Sequence, residues 1–126
     1  MRPAYFDLSV HDINQTRAFF EHVFDWRFEK FPASNAYYRI HTGPADEPGI
    51  DGRIGQLAEA PMLGGKPMTI MAISVQNIDQ AISSVLSNGG QVIEPKMHMP
   101  EIGWYTTCAE PGGLLFGMIQ PYQPPE

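Results

Sequence analysis

Tyr5-Phe6-Asp7-Leu8-Ser9-Val10-His11-Asp12-Ile13-Asn14-Gln15 is the stretch on which the fold turns. Its first six residues alternate with period two, so Phe6, Leu8 and Val10 share one face of a strand and Tyr5, Asp7 and Ser9 share the other. Asp12 is placed to cap a helix beginning at Ile13, with Gln15 three residues on as its capping-box partner. Ile13, Phe20, Val23 and Phe24 then recur at helical spacing, which predicts an amphipathic helix ending near Asp25.

The series returns further along the chain. Val10 matches Val75, Asp12 matches Asn77, Ile13 matches Ile78 and Gln15 matches Gln80, each pair 65 residues apart. In the second copy a strand at 70–75 leads to a helix with Ile78, Ala81, Ile82, Val85 and Leu86 on its buried side. Asn88-Gly89-Gly90 stops it, because glycine accepts the left-handed conformation of a helix end. A strand follows each helix, Trp26-Arg27-Phe28-Glu29 and Gln91-Val92-Ile93-Glu94, at the same offset of 65. Further strands at 37–42 and 104–109 are rich in aromatic and β-branched residues. Glu47-Pro48-Gly49 and Glu110-Pro111-Gly112 make comparable turns before the last strand of each half, with the offset reduced to 63 by unequal loops. Pro61 and Gly64-Gly65 give the segment from Gln56 to Lys66 the chemistry of a connector. The expected class is α+β: one domain of two tandem βαβββ modules, about 3–57 and 67–122, joined at about 58–66. Two unrelated βα units sharing a capping pattern are the alternative, which four matches at one offset disfavour.

At 126 residues there is room for one ordinary domain whose duplicated halves share a core. Hydrophobic residues at 43% and charged residues at 17% describe a globular chain that buries a core. The formal charge of −6, with eight scattered Lys and Arg, leaves no basic stripe for nucleic acid. No apolar run approaches the ~20 residues of a membrane span, and the N-terminus lacks a leader's apolar core, so a cytoplasmic location is expected. Cys108 is the single cysteine; it has no internal disulfide partner and reads as a small hydrophobe on a strand.

Taken with the repeat, D-L-S-V-x-D-I at 7–13, N-G-G-Q-V-I-E-P-K at 88–96, I-G-W-Y at 102–105 and the closing E-P-G-G-L-L-F-G-M-I-Q-P at 110–121 resemble the vicinal-oxygen-chelate superfamily, that is, glyoxalases, bleomycin-resistance proteins and extradiol dioxygenases. The likeness covers nearly the whole chain and implies sheets curled around a small-molecule cup, commonly in a homodimer. Metal-dependent members place His or Glu ligands on the first and last strand of each half, where a divalent ion polarises vicinal oxygens of the substrate. By that resemblance the ligand places here are Tyr5, Ile70, Gly117 and a position near Ile54, with Asp51 as the only carboxylate nearby. At least three of those four expected ligands are absent, so the resemblance favours a cup without the usual metal and no cofactor over one that holds a divalent ion.

Strand alternation directs Tyr5 and Asp7 into the cup, and Tyr38, His41, Asp51, Met97, His98, Trp104 and Phe116 are the other candidate ligand-binding residues. Residues 97–104 read as a loop carrying two thioethers, an imidazole, a carboxylate and an indole; equally, these side chains plug the cup or a dimer seam. Catalytic residues are not legible: the chain has no nucleophile elbow, phosphate-binding loop, HExxH or dinucleotide fingerprint. The expected function is therefore binding of a small apolar or aromatic molecule, with neither nucleic acid nor membrane as partner. The alternative is a metal-dependent lyase, isomerase or dioxygenase with a relocated site drawn from Asp7, His41, Asp51 and His98. A protein-binding module using the tail Pro121-Tyr122-Gln123-Pro124-Pro125 is the third reading.

Overall fold

The computed structural model describes residues 1–32, 37–56, 65–99 and 102–122. Among the described residues ten elements follow one another as βαβββ twice: β1 (Arg2–Val10), α1 (Ile13–Phe24), β2 (Arg27–Lys30), β3 (Tyr37–His41) and β4 (Asp51–Gln56), then β5 (Met68–Ser74), α2 (Ile78–Ser87), β6 (Gln91–Met99), β7 (Gly103–Ala109) and β8 (Leu115–Pro121). The chain is an α+β protein of two tandem βαβββ modules. It divides into two compact units, Tyr5–Thr69 and Ile70–Glu126, the second including Met1–Ala4.

The caps show how local sequence sets the repeat. Asp12 and Asn77 both sit in extended backbone, and each accepts a bond of 3.1 Å from the backbone N–H three residues on, Gln15 and Gln80. α1 closes at Asp25, in the left-handed conformation with φ 60°, whose N–H donates to the Glu21 carbonyl. α2 closes over Asn88 and Gly89, φ 87°.

In the N-terminal unit the strands run β2-β3-β4-β1, with β1 parallel to β4 and the other pairs antiparallel. One face packs on α1: Ile13, Ile40 and Ile54 are buried, with Phe6, Leu8, Val10, Trp26, Phe28 and Tyr38 around them. That is the alternation expected of β1. In the C-terminal unit the order is β5-β8-β7-β6, and Val75, Ile78, Cys108 and Met118 form the core under α2. Ala72, Met99, Tyr105 and Ile119 cluster separately.

Two expectations change. Residues 97–104 are not simply a loop: β6 continues through Met99 and β7 begins at Gly103, with His98 opposite Trp104. Pro95 lies on this edge strand within a register shift between Glu94 and Met97, where a missing N–H costs no ladder bond. The helix stripes are also narrower than their periodicity implied, since Val23, Phe24 and Leu86 remain 53%, 55% and 55% exposed. Packing against one sheet face buries only the residues that point straight down at it. Residues 57–64, most of the expected connector, and 123–126 of the tail lie outside the described residues.

Candidate functional site

The face of the N-terminal sheet opposite α1 is polar, and its register builds it in three cross-strand rows. Arg27 lies opposite His41, and Tyr5 opposite Asp51, with His41 Nδ1 3.7 Å from Asp51 Oδ2. The next row is Glu29, Arg39, Arg53 and Asp7. The third holds Tyr37, Gly55 and Ser9.

Asp7 is buried and carries an ion pair: Arg53 Nη2 donates to Asp7 Oδ2 at 2.6 Å, and Nε approaches Oδ1 at 3.4 Å. Such forked pairing fixes the guanidinium plane. The Arg53 guanidinium stands 4.9 Å from the centroid of the Tyr37 ring. The Cδ1–Cε1 edge of the Tyr37 ring in turn comes down on Gly55, where an added Cβ would fall 2.6 Å from ring Cε1. A glycine at 55 is what lets the ring come down on the backbone. His41 Nε2 is 2.9 Å from Glu29 Oε1. That hydrogen bond holds the Glu29 carboxyl below the ordinary carboxylate range, with the charges of His41, Arg27 and Arg39 acting in the same direction. Asp51 Oδ1 accepts from the Thr42 N–H at 3.0 Å and hydroxyl at 3.1 Å.

Of the residues singled out in sequence, Tyr5, Asp7, His41 and Asp51 share this face. Tyr38 does not: it pairs with Ile54 and packs in the α1 core beneath Arg17, whose guanidinium lies 4.5 Å from its ring. In the C-terminal unit His98 and Trp104 meet, ring centroids 5.0 Å apart, with Lys96 Nζ 4.6 Å from the indole and 2.8 Å from Asp79. Met97 is opposite Tyr105 and half exposed, whereas Phe116 belongs to the core under α2. Cys108 is buried there too, and burial pushes its thiol up, the opposite of what a nucleophile needs. Sequence reading passed over Arg53, Tyr37, Arg39 and Glu29. Their signal was alternation of Tyr37, Arg39 and His41 on one strand and Asp51 and Arg53 on another, legible only once register aligned them with Asp7.

The places that the resemblance assigned to metal ligands do not fit an ion. Ile54 and Ile70 are buried and offer no donor, and Tyr5 offers a phenol. At Gly117 the space a side chain would need belongs to the buried Tyr105, whose Cζ lies 2.7 Å from a Cβ built at that position. Of the relocated candidates in the N-terminal unit, His41 and Asp51 are neighbours, while Asp7 is engaged by Arg53. Among the described residues no three His, Cys, Asp or Glu side chains converge as an ion would require, and no helix is long and apolar enough to cross a membrane.

A sequence model of the Glyoxalase/Bleomycin resistance protein/Dioxygenase superfamily matches residues 2–118, and the chain belongs to that superfamily. It is 25% identical over 125 residues to CFP32, provisionally named a glyoxylase, of Mycobacterium bovis and Mycobacterium tuberculosis. The match covers 94% of this chain and 45% of CFP32, so the chain spans about half the length of these relatives. Among solved structures it is similar to methylmalonyl-CoA epimerase from Mycobacterium tuberculosis, with TM-score 0.68 and 12% identity over 97% of this chain and 89% of that one. It is also similar to the Mn(II)-bound glyoxalase from Novosphingobium aromaticivorans, with TM-score 0.66 and 18% identity over 94% of this chain and 38% of that one. At such identities these likenesses establish the fold, and relatives with different chemistries leave the activity to be argued from the site.

Proposed function

We propose that the chain binds a small planar, aromatic molecule on the polar face of the N-terminal sheet and does so without the superfamily's metal. The observation that carries this reading is the close packing of the Tyr37 ring on Gly55 and beside the Arg53 guanidinium, which Asp7 holds in place. A flat guanidinium and an aromatic ring held in place favour stacking of planar ligands, because little side-chain entropy remains to be lost on binding. Tyr5, His41 and Asp51 supply the few polar groups that orient a ligand. The lack of fit at Ile54, Ile70 and Gly117 supports the metal-free part of the reading.

Thermal denaturation of the full chain against benzamide, naphthalene-2-carboxamide, indole-3-carboxamide and the matching carboxylates tests it. A ligand present at 100 times its Kd stabilises by about 2.7 kcal/mol, enough to raise Tm by roughly 10 °C. Tyr37→Leu is expected to abolish the shift while the chain still folds by circular dichroism. If no compound in the panel raises Tm, the reading fails.

A further inference from the structure

We propose that Glu94 is a ligand-binding carboxylate on the face of the C-terminal sheet opposite α2, and that it takes a primary ammonium carried on a small apolar group. The pairing of β6 with β7 shows how the side chain comes to lie there. Val92 stands opposite Cys108 in the core under α2, and plain alternation would turn Glu94 to the same side. Instead a register shift after Val92 sets Glu94 opposite Thr107, which faces the other way from its neighbour Cys108. A second shift before Met97 restores the pattern: Met97 stands opposite Tyr105, and His98 meets Trp104 on the α2 side. The two shifts together re-aim Glu94 and leave Met97 to Met99 in phase with Val92.

Two buried threonines hold it in that position. Thr106 and Thr107 are each 1% exposed; the Thr106 hydroxyl donates to the Glu94 carbonyl at 2.7 Å, and the Thr107 hydroxyl donates to Glu94 Oε1 at 2.8 Å. Among the described residues Oε2 meets no hydrogen-bond donor and no cation. Lys96, two residues on, is turned to the α2 side, where it binds Asp79. The surroundings of Glu94 on its own face are otherwise apolar: Gly117 and Ala72 continue the row from Thr107, and Met97 and Tyr105 form the next one. Bulges that re-aim a side chain recur beside binding and active sites. With one oxygen fixed and the other open, this carboxylate accepts more strongly from a cationic donor than from a neutral one. The formal charge of −6 draws cations and repels anions, which sets the sign of the ligand. Glu94 is only partly buried and Met97 is 48% exposed, so an ammonium on Oε2 lays its apolar body against the thioether.

Calorimetric titration of the full chain at neutral pH with cyclohexylmethylamine and with cyclohexylmethanol compares an ammonium with a neutral group of nearly the same shape. Neither compound is flat, so neither reports on the face proposed for planar ligands. The amine is expected to bind about ten times more tightly, the low end of what a hydrogen bond to a charged group contributes. It should also shift the Met97 methyl resonance, assigned with Met97→Leu. Glu94→Gln keeps an acceptor for Thr107 and should bring amine and alcohol within about twofold of each other. Thr107→Val leaves the charge and frees the carboxylate to swing, so it should narrow the gap without closing it. Equal affinity of amine and alcohol in the parent would overturn the ammonium. A preference that survives Glu94→Gln, or an amine that leaves the Met97 methyl unmoved, would show attraction to an acidic surface at large and overturn the site. Should Glu94→Gln fail to fold, the Met97 shift in the parent, given by the amine and withheld by the alcohol, decides alone.

Discussion

Gly117 occupies a place where the resemblance puts a carboxylate ligand, and the ring of Tyr105 has taken the volume such a ligand would use. The substitution is one of shape as well as of chemistry. Gly117→Ala should destabilise by about 1–3 kcal/mol, the usual cost of overpacking, as measured by urea denaturation. Gly117→Glu should cost more, because a carboxylate would be driven into buried surroundings among Ala72, Tyr105 and Ile119. A stable Gly117→Glu variant that binds manganese or zinc stoichiometrically would show that the ring yields and that the ion's place survives beneath it.

At the scale of the element, the two helices are specified by the same device. Asp12 and Asn77 make equivalent bonds of 3.1 Å at equivalent positions, and neither helix is long: α1 has 12 residues and α2 has 10. Helices of that length are marginal by themselves and depend on caps and on one packed face. Asp12→Ala and Asn77→Ala should therefore each cost about 1 kcal/mol, and Asp12→Asn much less, by chemical denaturation. A loss under 0.3 kcal/mol for both alanine variants would mean that packing alone holds the helix starts. These elements were legible because capping and periodicity are properties of neighbours in the chain. The continuation of β6 past Pro95 was not, since an edge strand tolerates proline for a reason that resides in sheet order.

For the whole molecule, charge is the property that composition sets directly. With 14 acidic and 8 basic side chains the chain is an anion at neutral pH, and its isoelectric point near 5.1 marks where self-repulsion vanishes. Light scattering should show a solubility minimum close to pH 5 and a clear solution at pH 7; a minimum above pH 6 would mean that several carboxyls stay protonated in the fold. The sequence by itself determined the duplicated order βαβββ, the helix starts and which face of β1 is apolar, because each depends on residues within a few positions of one another. Only the tertiary structure decided which residues come together on the candidate face. Asp7 and Arg53 are 46 residues apart, Arg39 meets Arg53 from another strand, and Tyr105 reaches the place of Gly117 across a sheet. Cross-strand register sets all three, and register is a long-range outcome of how two strands pair, which no local pattern in either strand states.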